Sequence, residues 1–339
     1  MTMAETILDV VHLRKYFHER RGVLAGITGR ARIVPAVDDV SFYVKENETL
    51  GLVGESGCGK TTVGRTILGL TPPTSGRVVF EGRDITALPP EELRRLRSRM
   101  QMIFQDLDAA LNPKMRVREI LAEAVTVHRE ADAAEVARRS AELLDQVNLK
   151  ESKLASFPDE LSGGEKRRVG IARALAVGAR FLVADEPTSA LDVSIQAQVV
   201  NLLADLQRRL GLSYLFISHD LRVVEIISRK VAVMYLGKIV ETGLTENIAR
   251  SPRHPYTAIL WSSLVDKRSV EASRRTSGPD AVDRGLLDFD RPAAGCPFAP
   301  RCPVHAERGR PAVCTDPESA PDLSAEGAGH QVACHFPLS

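Results

Sequence analysis

The sequence predicts an α/β sandwich with a mainly parallel sheet. Three observations carry that prediction. The stretch Gly54–Thr61, GESGCGKT, has the form G-x-x-x-x-G-K-[ST] and lies between an apolar run, Leu50–Val53, and a helix-like stretch over 62–70. A loop of this form between a strand and a helix cradles phosphate. Phe181–Ala184 is a continuous apolar run ending in Asp185-Glu186, and Leu212–Ile217 reads as another buried strand, ending in Ser218-His219-Asp220. Runs of that kind suit strands covered on both faces. Helical patterns over 161–179 and 193–210 alternate with these strands, the order expected of parallel strands joined by crossovers.

Composition sets the outer bounds. The chain has 339 residues, enough for one large domain with additions or for two domains. Hydrophobic residues make up 44%, which supplies an ordinary core, and the formal net charge of +1 gives no argument for a nucleic-acid or anionic-membrane surface. No apolar run approaches the ~20 residues needed to span a bilayer, and the N-terminus lacks a basic-then-apolar secretory pattern. A cytoplasmic protein is expected, with any membrane contact made through a partner.

In chain order, 7–17 and 37–44 read as two strands of an antiparallel element, and the Gly- and Arg-rich stretch 18–36 between them as an exposed insertion. Residues 49–53 form the strand entering the phosphate loop. Arg77–Phe80 and Arg83–Ile85 read as strands around a Glu81-Gly82 turn. Residues 91–99, 116–128 and 131–149 carry helical patterns that make an α-helical subdomain over about 90–160. The sheet then resumes, with further helix at 221–228 and a hairpin at 231–242 turning on Gly237. Residues 266–294 have a linker composition, and 295–339 form a cysteine-rich extension too small to hold a core without a staple.

Chemistry concentrates at the ends of the apolar runs. Gly54, Gly57 and Gly59 let the backbone turn sharply and bring its N–H groups to an anion. Glu55, Ser56, Cys58, Lys60, Thr61 and Thr62 complete the expected phosphate-binding set, with Lys60 reaching the β- and γ-phosphates and Thr61 binding Mg²⁺. A chance glycine-rich turn is the bland alternative. Asp185 is placed to hold Mg²⁺ and Glu186 to polarise an attacking water, since ligands of open α/β sheets sit beyond strand C-termini. Two solvent-facing acids ending a strand are the plain alternative. Ser162 and Glu165 in LSGGE have capping-box spacing, and Gly163 and Gly164 leave backbone N–H groups open to an anion. Gln105 and His219 each follow a short apolar run; alone, either would more often be structural.

Taken together, GESGCGKT, Gln105, LSGGE, FLVADE, SALD (189–192) and His219 resemble an ABC transporter ATPase over about residues 5–265. The resemblance implies two ATPase subunits paired head to tail, with ATP and Mg²⁺ on Lys60, Thr61, Gln105 and Asp185 of one clamped by Ser162, Gly163 and Gly164 of the other. It implies Glu186 as general base, His219 as sensor of the γ-phosphate, Gln105 near metal and water, and Asp192 as a link between the two sites. Phe17 is the best match for an aromatic residue stacking on adenine, with Tyr16 second. Glu165 departs from the family's usual Gln and adds negative charge at the composite site.

Finer features resemble the oligopeptide and dipeptide importer branch: LNPKM at 111–115, SPRHPYT at 251–257, GCPFAPRCP at 295–303 and ACH at 333–335, while the insertion at 18–36 resembles that of the second ATPase subunit of such systems. The implied partners are a homologous ATPase subunit in a homo- or heterodimer, two membrane permease subunits and an extracellular solute-binding protein, with no nucleic acid. The implied place is the cytoplasmic face of the bacterial cell membrane, held peripherally. Importers of nickel, opines, glutathione and some glycosides share these features, so the solute stays open. A soluble ABC ATPase acting on ribosomes or DNA is the alternative; the single cassette and the short interval between Thr61 and LSGGE disfavour it. A metal-sensing protein without catalysis is disfavoured by the intact Lys60, Asp185, Glu186 and His219.

Cys58 lies within the phosphate loop, and the other four of the five cysteines follow C-x5-C-x11-C-x19-C from Cys296 through Cys302 and Cys314 to Cys334. In a reducing compartment such a cluster points to metal. Zinc, an iron–sulfur cluster or no metal are all compatible with the spacing, which lacks close C-x2-C pairs. The importer resemblance implies a 4Fe–4S cluster, with His305, His330 and His335 as lesser ligand candidates.

Overall fold

The protein, seen in a computed structural model, is described over residues 5–19, 32–106, 110–127, 131–189, 191–265, 295–325 and 329–339. Strands β1 (Thr6–Glu19) and β2 (Arg32–Lys45) pair antiparallel. They run longer than their apolar cores predict. The pairs His18↔Ile33 and Glu19↔Arg32 carry the ladder into the stretch expected to be an exposed insertion, because β-branched Ile33 and Val34 favour extended backbone. The interior of that stretch, 20–31, lies outside the described residues.

Strand β3 (Thr49–Val53) is buried along its whole length and feeds the phosphate loop and helix α1 (Lys60–Ile67). Strands β4 (Ser75–Phe80) and β5 (Arg83–Asp84) join the first two in a four-stranded antiparallel sheet of order β2-β1-β4-β5. Helix α2 (Pro90–Leu96) and strand β6 (Met100–Ile103) follow. Helices α3 (Val117–Thr126) and α4 (Ala133–Gln146) pack against each other and against α5 (Gly163–Leu175).

The sheet resumes with β7 (Phe181–Asp185), α6 (Val193–Leu210), β8 (Ser213–Ser218) and α7 (Leu221–Ile227), then the hairpin β9 (Lys230–Tyr235) and β10 (Lys238–Leu244). Helices α8 (Thr245–Arg250) and α9 (Pro255–Val265) end this part. The larger sheet has the order β11-β12-β10-β9-β3-β8-β7-β6, where β11 (Ser324–Ala325) and β12 (Gln331–Val332) come from the C-terminal tail. Pairing is parallel from β6 through β7, β8 and β3 to β9, and antiparallel beyond.

Alternation along the central strands splits the core in two. Phe181, Val183, Leu215 and Ile217 face the small sheet and α1, while Leu182, Ala184, Tyr214 and Phe216 face the helical side. The tail has short elements where no period was visible, including α10 (Pro303–Glu307), and Cys296, Phe298, Ala299 and Cys314 pack into the helical-side core. The expected linker, 266–294, lies outside the described residues. Among the described residues no helix is long and apolar enough to cross a membrane.

Candidate functional site

The phosphate loop is shaped by two close approaches. A Cβ on Gly54 would lie 2.1 Å from the Met234 carbonyl oxygen, and one on Gly59 would lie 2.0 Å from that of Ala36. Both residues have left-handed backbone, with φ of 152° and 108°, so any side chain is excluded twice over. Gly59 opens α1 without a side-chain cap, and the first turn carries no acid. The helix end thus keeps its N–H groups and positive dipole for an outside anion. Lys60 is buried, and its Nζ donates to the carbonyls of Gly54 at 2.7 Å and Glu55 at 2.8 Å.

Strand β7 ends beside this loop. Thr61 Oγ1 donates to Asp185 Oδ1 at 3.1 Å. Burial pushes the Asp185 carboxyl above its ordinary range, the Thr61 hydroxyl pulls it back, and the neighbouring Glu186 charge raises it further. A cation beside Asp185 would favour its charged form. Glu186 sits at φ +45°, an uncommon conformation for a residue with a side chain. Its two oxygens face two partners: Gln105 Nε2 donates to Oε2 at 2.9 Å, and His219 Nδ1 lies 3.1 Å from Oε1. The three residues expected to be catalytic therefore meet at one point, at the ends of β6, β7 and β8.

Arg167 was not singled out from sequence. It lies in α5, and its guanidinium donates to the carbonyls of Phe104 at 2.8 Å and Gln105 at 3.2 Å, pinning the start of the Gln105 loop. A buried arginine two residues beyond LSGGE is the only local signal, and its partner cannot be read from it.

LSGGE forms a self-satisfied helix start. Ser162 Oγ accepts from the Glu165 N–H at 3.3 Å, and Glu165 Oε2 accepts from the Ser162 N–H at 2.9 Å. A Cβ on Gly164 would lie 2.8 Å from Ile195 Cγ2, so a side chain there would force Ile195 to shift. Glu165 is balanced by Lys153, 2.8 Å away; that ammonium, and then the Ser162 N–H, hold its carboxyl below the usual range. Among the described residues no hydrogen bond or ion pair links Ser162, Gly163 or Gly164 to Lys60, Thr61, Asp185 or Glu186. Asp192 caps α6, accepting from the Ile195 N–H at 2.9 Å.

Phe17 presents an exposed ring with Lys15 Nζ 5.0 Å from its centroid. The Tyr16 hydroxyl instead donates to Asp38 at 2.6 Å, and burial with that acceptor pushes its pKa up to about 12. Phe17 is thus the better placed of the two for stacking.

The tail converges on a second location. Cys296, Cys302, Cys314 and Cys334 line one small cavity of about 20 Å³ together with His254, His305 and His335. The Nε2 atoms of these three histidines are buried without a partner. Burial raises all four thiols, Cys334 to about 11, and lowers His254 to about 4. Yet among the described residues no three His, Cys, Asp or Glu side chains form a group fit to hold a metal ion. The donor chemistry suits a thiolate-bound group, while the spacing supplies no ready single-ion site. His330, the other histidine raised from sequence, is engaged with Glu241 at 2.7 Å.

Residues 37–189 match the ABC transporter family, and residues 240–308 match the family described as oligopeptide/dipeptide transporter, C-terminal region. The chain is 45% identical to the oligopeptide transport ATP-binding protein AppF of Bacillus subtilis, covering 98% of each. It is 44% identical to a putative peptide import ATP-binding protein of Brucella ovis, over 93% of this chain and 96% of that one. Among solved structures, the ATP-binding cassette MJ0796 in a dimeric post-hydrolysis state bound to ADP and Pi superposes with a TM-score of 0.62 at 26% identity, over 70% of this chain and 98% of that one. Cassette cbiO1 of Clostridium perfringens gives the same TM-score, 0.62, at 25% identity, over 72% of this chain and 90% of that one.

Proposed function

The chain belongs to the ABC transporter ATPase family, and from that premise we propose that it is the ATP-hydrolysing subunit of an importer for di- and oligopeptides or related solutes. The observation that carries this reading is the junction at Glu186, where Gln105 and His219 occupy its two oxygens beside the Thr61–Asp185 pair. In this reading the phosphate-loop N–H groups and Lys60 bind the triphosphate, and Phe17 stacks on adenine. Thr61, Asp185 and Gln105 hold Mg²⁺, which neutralises charge on the phosphates. Glu186 takes the proton of the attacking water, and His219 orients that carboxylate and meets the γ-phosphate.

Among the described residues, no hydrogen bond or ion pair of one chain brings Ser162, Gly163 or Gly164 to Lys60, Thr61, Asp185 or Glu186. A second ATPase subunit, identical or homologous, supplies them, and Asp192 lies at the junction. Two permeases and an extracellular solute-binding protein complete the importer, with this subunit peripheral on the cytoplasmic face. Residues 5–265 act as the ATPase domain, 266–294 as linker and 295–339 as the extension.

For the tail we propose the 4Fe–4S cluster, supported by the convergence of all four thiols on one cavity with three unpartnered imidazole nitrogens. Cys296, Cys302, Cys314 and Cys334 would be the thiolates that hold it. Its contribution is a covalent staple for a segment with little core of its own. Iron content and visible absorbance of anaerobically purified protein test it, and a folded, colourless, iron-free sample would refute it. The transport reading is tested by purification from detergent-solubilised membranes: permease subunits should accompany this chain, and their absence would overturn it.

A further inference from the structure

We infer that Arg301, in the C-terminal tail, is a positioning residue of the phosphate loop, so that nucleotide affinity depends on the docked tail. The inference rests on the nucleotide-site reading above. Arg301 ends the short turn Ala299–Arg301. Its Nη1 and Nη2 donate separately to the two carboxylate oxygens of Glu55, each at 3.0 Å. This two-bond pairing fixes direction as well as distance. The guanidinium also lies 5.8 Å from the Tyr235 ring centroid and 6.0 Å from that of Phe298. Phe298 is buried against Tyr235, Tyr256 and His254, so the arginine stands on a packed aromatic base.

Every polar group of Glu55 is then engaged. Its carboxylate is held by the tail, its N–H donates to the Tyr256 hydroxyl at 2.9 Å, and its carbonyl accepts from Lys60 Nζ at 2.8 Å. A continuous chain of contacts thus runs from Arg301 through Glu55 to the lysine that meets the phosphates. Exposed ion pairs are usually worth little. This one is bidentate, its arginine side chain is only 25% exposed, and it acts on a loop whose flanking Gly54 and Gly57 give little stiffness. Arg301 also cancels a carboxylate that would otherwise stand as a like charge beside an incoming triphosphate. Loss of order and gain of repulsion both weaken nucleotide binding.

The test is a double-mutant cycle on the full-length chain, read as the equilibrium dissociation constant for MgATP and as KM against kcat in the assembled ATPase. Arg301→Ala should raise the dissociation constant and KM about tenfold and leave kcat within about twofold. Arg301→Lys should recover part of the loss. In a Glu55→Gln background, Arg301→Ala should add less than about twofold, because the charge it serves is gone. An equal loss in both backgrounds would mean that Arg301 only helps the tail fold, and would overturn the inference; so would unchanged affinity in Arg301→Ala. Should that variant fail to fold, Arg301→Gln repeats the cycle with the stem retained. Wild-type protein that binds no MgATP would overturn the nucleotide site itself, whereas tight binding by wild type and Arg301→Ala alike would remove only the role of Arg301.

Discussion

Two helix starts in this molecule present opposite solutions to the same problem. The N-terminus of α1 follows Gly59, has no side-chain cap and no acid in its first turn. The N-terminus of α5 is closed by a reciprocal capping box between Ser162 and Glu165, with Lys153 balancing the acid. Helix ends carry unsatisfied N–H groups and a partial positive charge. The first end leaves that potential for a ligand, and the second partly meets it from its own sequence. In the proposed site, that difference would separate a primary phosphate cradle from a surface that acts on a phosphate already held elsewhere.

The sharpest way to break the comparison is at the first end. Lys60→Ala should abolish MgATP binding at this half-site and reduce turnover of the assembled complex at least about 100-fold. Glu186→Gln should reduce turnover by about 10²–10³-fold while MgATP still binds, as single-turnover and nucleotide-binding assays would show. At the second end, Ser162→Ala should lower the melting free energy of the isolated chain by about 1 kcal/mol through loss of the cap. In the assembled complex it should also weaken turnover, whereas binding of MgATP to the isolated chain should be unchanged.

Two smaller effects sharpen the contrast through charge. The Asp185 carboxyl is raised by burial, so its favourable contribution exists below the ordinary carboxylate pKa and is lost as pH rises through the folded value. Asp185→Asn should therefore make the nucleotide-free protein more stable at neutral pH, on the order of 1 kcal/mol, with the gap closing in acid. Chemical denaturation at several pH values measures this. Glu165 is the opposite case. Its carboxyl is lowered, so its contribution is present above the ordinary pKa and is lost as pH falls through the folded value. Glu165→Gln should cost about 0.5 kcal/mol or less at neutral pH, nothing in acid, and should change ATPase of the assembled complex less than about twofold. A large gain in activity would show that Lys153 fails to neutralise the acid.

The legibility of the molecule follows the same division between local and distant physics. The central strands and helices are readable because burial on both faces leaves unbroken apolar runs such as Phe181–Ala184, and α6 spans the predicted 193–210, with Asp192 as its N-cap. The meeting of Gln105, Glu186 and His219 is foreshadowed by their places at strand ends, although their distances are not. The extension of β1 and β2 past 17 and before 37 was hidden by flanking Gly and Arg. The tail was least readable. Its elements are short and are held by contacts far away in sequence, such as Arg301 with Glu55 and β12 with β10. No periodicity encodes such pairs. Tyr256 is legible in sequence only as part of the SPRHPYT segment, and the acceptance of the Glu55 N–H by its hydroxyl is a tertiary fact.

The half-site is tested most directly by the specific ATPase activity of this chain against its own concentration, with and without the co-purified partner subunits. A site completed by another chain predicts low specific activity on dilution, rising with concentration or on addition of the partner ATPase, and a Ser162→Ala partner that restores less. High specific activity that is independent of dilution and indifferent to the partner would contradict it.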